Sequence, residues 1–416
     1  MAEETYAELV GFLQDQKFEV QRFAVEGVLE STEDEGFIAY CKDHPRQVAK
    51  PLLRLMERAE SVALEAAGDT GSGKADAERR AAVQEASAKV AAADALKALV
   101  NLSTVPQVRD ALIDLSAAKR CGEAMRKGWL EGSAELAHWH AMVLANVTTT
   151  QPGQESLCDN EGLLSFLVAA FIANPRPPPR DGYDDPLSFL GKVLINSTAV
   201  AKGRRILASE NGSSVGMLTP ELAQRGRRHD VLTVLRNLCV DVQCHSAVVA
   251  TDMLQRIALF IYPLADVAPE YLEKLPSALR EVLSQQGAAM TGEISVRIVA
   301  AACFVGLCQS DQGLQHLTEN GGEEICRAWL DKEHHADTKS VLKAVQDYIR
   351  SGVAAGSAES QTAAGDNLEA QAEDAADSTA EPRILGEVAV VRPGPSPVKE
   401  EGELSGLFAS IEGEGS

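Results

Sequence analysis

One short motif recurs along this chain at a fixed phase, and it limits the fold more than any other feature. Leu99-Val-Asn101-Leu-Ser, Leu144-Ala-Asn146-Val-Thr, Leu194-Ile-Asn196-Ser-Thr and Leu235-Arg-Asn237-Leu-Cys each close an apolar run with helical spacing. Eleven positions beyond each Asn stands an aliphatic residue: Leu112, Leu157, Leu207 and Val248. Two further rows, Gly27 to Ile38 and Gly306 to Leu317, keep the offset with Gly in place of Asn. Such a shared phase is the mark of a repeated helical unit.

Self-similarity at about 40–47 residues is the signature of armadillo or HEAT repeats. Asn101 to Asn146 is 45 residues, Asn146 to Asn196 is 50, and Asn196 to Asn237 is 41. The expected fold is all-α: an armadillo/HEAT-like helical-repeat solenoid of about six units over residues 1–350. A composition of 45% apolar but only 5% aromatic residues suits close-packed helices. Three longer gaps need an account. Gly68-Asp-Thr-Gly-Ser-Gly-Lys reads as part of a flexible insertion at about 66–90. The prolines of 174–182 read as a loop between units. Residues 262–292 carry enough Leu, Tyr and Val for an ordered excursion with its own short helix. Pro51 is placed to open a helix, and Trp329 and Tyr348 are expected to close the last core, Ser295–Ile349.

The formal net charge is -22. Such a chain repels nucleic acid and anionic membranes, so neither is an expected partner. Residues 351–416 hold 13 acids and 3 bases and few large apolar side chains, which predicts a disordered acidic tail. Two apolar islands interrupt it, Ile384–Val391 and Leu404–Ile411, readable as docking motifs or as chance. Eight scattered cysteines without a Cys-x-x-Cys suggest buried thiols in a reducing compartment. The absence of a signal sequence predicts a cytoplasmic protein, with a nuclear pool left open.

No cofactor, metal or catalytic set is expected. Gly68-x-x-x-x-Gly73-Lys74 lacks the Ser/Thr and the preceding strand of a phosphate loop. Cys239, Cys244 and His245 lie close but lack the second half of a metal site. No His-Glu-x-x-His occurs, and an enzyme is not expected.

The Asn rows remain. An amide donates and accepts, so a ladder of Asn101, Asn146, Asn196 and Asn237 could hold the main chain of an extended partner. The structural alternative is that each Asn bonds neighbouring backbone and finishes a helix turn. Arg204, Arg236 and Arg297 would add charge-assisted contacts to an acidic partner.

Leu190-Gly-Lys-Val-Leu-Ile-Asn196-Ser with Gly203-Arg204, then Leu235-Arg236-Asn237-Leu-Cys239 with His245, carry a resemblance. So do Tyr262-Pro-Leu-Ala, Leu275-Pro276 and Val296-Arg297. These segments resemble the Hgh family of armadillo-like proteins. The resemblance implies a non-catalytic adaptor that binds newly made translation elongation factor 2 and assists its folding with the cytosolic chaperonin. The partners it implies are that client and the cytosolic chaperonin, whether or not the chaperonin is contacted directly, and the chain is expected to be a monomer. Gln312-Gly313-Leu314 departs from the pattern, where a Gly-Arg is expected. The alternative is an armadillo-type scaffold or transport protein for a linear peptide, although Trp129, Trp139 and Trp329 do not precede the Asn rows regularly.

Overall fold

The computed structural model describes residues 2–68, 75–130, 136–173, 185, 187–267, 269–352 and 354. The prolines of 174–182 and the acidic tail beyond 354 lie outside the described residues, as do residues 69–74. Among the described residues all regular structure is helical. They fall into two compact units divided after Ala111.

The first unit holds α1 (Ala2–Phe12), α2 (Phe18–Ser31), α3 (Glu35–Asp43), α4 (Pro45–Gly68) and α5 (Ala75–Leu102). Helix α6 (Pro106–Asp114) spans the division. Asp34 starts α3 by accepting from Phe37 N at 2.8 Å, and the Tyr6 hydroxyl donates to the same carboxylate oxygen. Helices α4 and α5 pack along one another for most of their length, and α5 also covers α2.

In the second unit come α7 (Ala117–Leu130), α8 (Ala137–Val147), α9 (Gln151–Cys158), α10 (Glu161–Phe171) and α11 (Ser188–Ala199). Then follow α12 (Ala201–Leu218), α13 (Arg225–Cys239), α14 (His245–Val249), α15 (Met253–Ile261), α16 (Pro269–Lys274) and α17 (Ser277–Gln286). The unit ends with α18 (Ile294–Leu307), α19 (Asp311–Glu319), α20 (Gly322–Lys332) and α21 (Ala336–Ser351). Equivalent helices stack in rows. One row runs α8, α11, α13, α18, α21, each packed on the next. A second runs α7, α10, α12, and the short helices α14 and α19 continue from α12. No helix can bury its apolar stripe alone, so each unit is completed by its neighbours. This is an all-α helical-repeat architecture, and the six rows read from the sequence sit on α2, α5, α8, α11, α13 and α18.

The last core closes around Trp329, which meets Phe304 edge-on at 6.4 Å. Residues 262–292 are filled by a 3-10 turn, α16 and α17, with Leu275, Leu279 and Leu283 buried. Their return is pinned by Ala289 N to Leu259 O at 3.0 Å and Thr291 N to Phe260 O at 2.8 Å.

Two local expectations need correction. Pro51 does not open a helix: α4 already begins at Pro45, and Pro51 lies inside it. Pro45 takes the first-turn position, where the missing N–H costs nothing. Residues 75–90, placed in the flexible insertion, form the first half of α5, while α4 runs on to Gly68. Small alanines such as Ala81 and Ala88, both buried, are enough for the two helices to continue together.

Candidate interaction surface

Each Asn row ends its helix with a residue two places on: Ser103, Thr148, Thr198, and in the fifth row Cys239. These hydroxyls bond back to their own helices. Thr148 Oγ1 donates to Leu144 O at 2.8 Å, and Thr198 Oγ1 lies 2.9 Å from both Leu194 O and Ile195 O. The hydroxyl oxygen still has a lone pair to offer, and the Asn of the next unit takes it. Asn196 Nδ2 donates to Thr148 Oγ1 at 3.2 Å, and Asn237 Nδ2 donates to Thr198 Oγ1 at 3.0 Å. The same amides reach Ala145 O and Ile195 O at 3.4 Å. In the first unit Asn101 Nδ2 donates to Thr32 Oγ1 at 2.9 Å, and Thr32 in turn donates to Leu29 O.

The Asn ladder therefore lies inside the stack. Asn101, Asn146 and Asn196 are buried, and Asn237 is half-buried with Oδ1 taken by Arg236 Nε and Nη2 at 3.1 and 2.6 Å. The expectation that these four amides hold a partner's main chain is corrected: Asn101, Asn196 and Asn237 are spent on hydroxyls of the preceding unit, and Asn146 is buried. A buried amide left without partners would cost more than any surface bond returns, which is why the rows point inward.

The fifth seam shows the rule by exception. Cys239 has no hydroxyl, and the facing row has Gly306 rather than Asn. A Cβ on Gly306 would sit 2.8 Å from the Cys239 backbone, so α13 and α18 approach too closely for a side chain. The thiol of Cys239 lies beside Cys303 instead, and that neighbour, with burial, raises its pKa well above the usual thiol value.

The three arginines are also internal. Arg204 Nη1 donates to Thr198 O and Ala199 O at 3.0 and 2.9 Å, closing the carbonyl end of α11, while Nε pairs with Asp241 at 2.8 Å. His245 occupies the equivalent place one unit later, eight residues beyond Asn237. Its Nε2 lies 2.6 Å from Cys239 O and its Nδ1 2.5 Å from Ser310 Oγ. Burial depresses the pKa of this imidazole, opposed by its bond to Cys239. Arg297 makes a bidentate pair with Glu333 at 2.8 and 3.0 Å. Burial pushes the Glu333 carboxyl up, but Arg297, the His335 N–H, the Trp329 indole and the His334 N–H together hold it at about 2. Arg236, half-buried, lies on the α13–α18 seam beside Cys303 and bonds Asn237. Arg204 and Arg297 are thus corrected from client contacts to helix and unit clamps.

A different surface remains at solvent. On α18, Ile294, Ile298, Ala302 and Val305 follow at i, i+4, i+8 and i+11, which is one helix face. All are half-buried or exposed, and Ile294 is 49% exposed. The face carries no charge. Beside its N-terminal end Arg225, 81% exposed at its side chain, bonds Glu293 at 2.7 Å. Arg228 lies over Phe260 at 4.6 Å and feels the same carboxylate. Two guanidiniums thus share one acid there. At the end of α13, Val240 is 63% exposed and Val242 lies open beyond it. This surface was missed in the sequence because α18 reads as apolar almost all round; only packing shows which part is left uncovered. Among the described residues no group of three or more His, Cys, Asp or Glu could hold a metal ion.

Residues 129–289 match the family model described as "Domain of unknown function (DUF383)". The chain is 25% identical over 179 residues to "Protein HGH1 homolog" of Xenopus tropicalis, a match spanning 42% of this chain and 46% of that protein. The chain therefore covers less than half the length of this curated relative. It is also similar to a chain solved in work on a phosphorylation switch controlling the interaction between cadherin and beta-catenin. That likeness covers 84% of this chain and 83% of the other, at 12% identity and a TM-score of 0.29. The score is too low to bear on the fold, which rests on the helix rows. The family model spans the Asn146, Asn196 and Asn237 rows, and the similarity to the curated relative agrees with the resemblance to the Hgh family read from the sequence.

Proposed function

We propose that this protein is a non-catalytic adaptor that binds newly made translation elongation factor 2 and assists its folding with the cytosolic chaperonin. The partner is what the family resemblance implies. The observation that carries a binding role is the uncharged, solvent-facing side of α18, bordered at its N-terminal end by Arg225 and Arg228, with Val240 exposed just past the end of α13. Contiguous apolar surface rimmed by charge is characteristic of sites that take protein partners. A partly folded client offers apolar segments that such a face can cover, and release needs only the client's own burial of those segments. The inward-pointing Asn rows weigh against the linear-peptide scaffold, since a groove of that kind needs its amides at the surface.

Capture of elongation factor 2 during its synthesis, by wild type and by Ile298→Glu, tests this reading. The expected result is at least a tenfold loss of capture with unchanged helicity. Equal capture by both would overturn it, as would unchanged soluble elongation factor 2 after depletion of the protein.

A further inference from the structure

We propose that Arg236 and the uncharged side of α18 together form a subsite for an acidic side chain carried on an apolar segment of a partner protein. The inference rests on the reading of that side as a protein-binding surface, and it names what the surface selects.

Arg236 differs from the other enclosed arginines of the second unit. Arg204, Arg227 and Arg297 each hold a carboxylate, at 2.8, 2.7 and 2.8 Å. Arg236 is half-buried, yet among the described residues no carboxylate pairs with it. Its bonds there run from Nε and Nη2 to Asn237 Oδ1. That contact orients the planar guanidinium without neutralising it. A guanidinium carries five N–H donors, so both hydrogens of Nη1 and one of Nη2 are left for another acceptor. Acids are plentiful in a chain of net charge -22, so their absence here is specific to the place. Burial of the unneutralised cation depresses its pKa.

The surroundings are apolar. In the other rows of the second unit the residue before the Asn or Gly is Ala145, Ile195 or Val305, so Arg236 is the charged exception. Exposed Val240 follows it four residues on, along the same helix face. Across the seam the guanidinium lies beside Cys303, next to Ala302 on the half-buried side of α18. A segment with apolar side chains around one Asp or Glu satisfies both parts together. A basic segment is repelled. A wholly apolar one covers the guanidinium without a counter-charge, which is costly. Selection therefore works by exclusion as well as by attraction. A partly folded client exposes acids whose own partners are not yet in place, and release follows when the client's fold supplies them.

Two short, end-capped peptides binding to the full chain test this. They carry Leu and Phe at helical spacing around a central Asp or a central Asn, and differ only there. By fluorescence anisotropy, the Asp peptide should bind wild type about tenfold more tightly than the Asn peptide, as a charge-assisted bond exceeds a neutral one. Raising salt from about 50 to 500 mM should narrow that ratio. Arg236→Gln should abolish the preference while leaving the affinity of the Asn peptide unchanged. Arg236→Glu should favour a third peptide with central Lys. Equal affinity of the Asp and Asn peptides for wild type overturns the proposal. So does a preference that survives Arg236→Gln, or no measurable binding of either peptide at about 1 mM. The wild-type comparison needs no variant, so it remains decisive if Arg236→Gln loses helicity. Capture of elongation factor 2 is read separately. If the Asp peptide is preferred but capture ignores Ile298→Glu, the folding-adaptor reading falls and the carboxylate subsite stands. If capture needs Ile298 while the peptides are not distinguished, the subsite alone falls.

Discussion

Asn237 Nδ2 lies 3.0 Å from Thr198 Oγ1, and that hydroxyl already donates its proton to the end of its own helix. One oxygen thus ends α11 and receives α13. The same two-way use recurs at Thr148 with Asn196 and at Thr32 with Asn101. Unit stacking is specified by polar groups at the helix ends as well as by apolar area along the helices.

Coupling between the two partners is the first consequence. Asn237→Ala should destabilise the protein by about 1–2 kcal/mol, with Thr198→Val similar, because each strips a bond from a half-buried or buried group. The double variant should cost clearly less than the sum, by roughly 1 kcal/mol, as expected for residues in direct contact. Urea unfolding of the four proteins gives the coupling. Strict additivity would mean that the hydroxyl and amide act independently.

Much of this architecture was legible in the sequence, because an amide at a fixed pitch and an aliphatic residue eleven places later are local signals. The direction in which the amide points was not. It depends on a hydroxyl supplied 39 residues earlier for Asn237 and 48 earlier for Asn196. The clue was the Ser/Thr two places beyond each Asn, which marks the acceptor rather than decorating the helix end. The paired exception, Cys239 opposite Gly306, carries the same information: where the hydroxyl is missing, so is the amide. Arg204 and His245 were each visible as part of the family pattern, but their shared offset of eight from the Asn rows explains them only once the carbonyls of Thr198, Ala199 and Cys239 are seen beneath them. The uncovered face of α18 had no sequence signal, since Ile298 and Val305 resemble core residues until their neighbours are known.

Glycine requirements follow from the same seams. Seven residues beyond three of the rows stand Gly153, Gly203 and Gly313, each inside the first turn of the next helix. A Cβ on Gly203 would lie 1.9 Å from Ser197 O, and one on Gly313 2.2 Å from Leu307 O. The obstacle is backbone and cannot rotate away. Gly203→Ala should therefore cost about 3 kcal/mol or more. Gly216, in α12, has nothing within 4 Å of such an atom, so Gly216→Ala should gain about 0.5–1 kcal/mol through helix propensity. Thermal unfolding should move in opposite directions for the two. A similar effect of both would refute the close approach.

The thiols should be inert in the folded protein. All eight cysteines are buried, and burial pushes Cys41 and Cys308 up to about 12 and Cys244 up to about 11. Thiolate is the reactive form, so an aromatic disulfide reagent at pH 8 should leave the native protein unmodified for minutes. In denaturant all eight should react. Rapid labelling of even one thiol in the native state would show that a seam opens readily.

Acid should weaken the Arg297–Glu333 pair. The Glu333 carboxyl titrates near 2 in the folded protein against an ordinary value of 4.5. A carboxylate with a depressed folded pKa binds more protons when unfolded, so its contribution is fully present above about pH 4.5. It is lost as the pH falls from there toward 2. Glu333→Gln removes the charge at every pH while leaving Arg297 buried without its partner, which should cost about 3–5 kcal/mol at neutral pH. The difference in stability between wild type and Glu333→Gln should then shrink steadily as the pH is lowered through that window, because wild type loses the same pair by protonation. Unfolding measured at pH 7, 5, 4 and 3 tests this. A gap between the two proteins that stays constant down to pH 3 would show that Glu333 holds Arg297 by shape and neutral hydrogen bonds rather than by its charge.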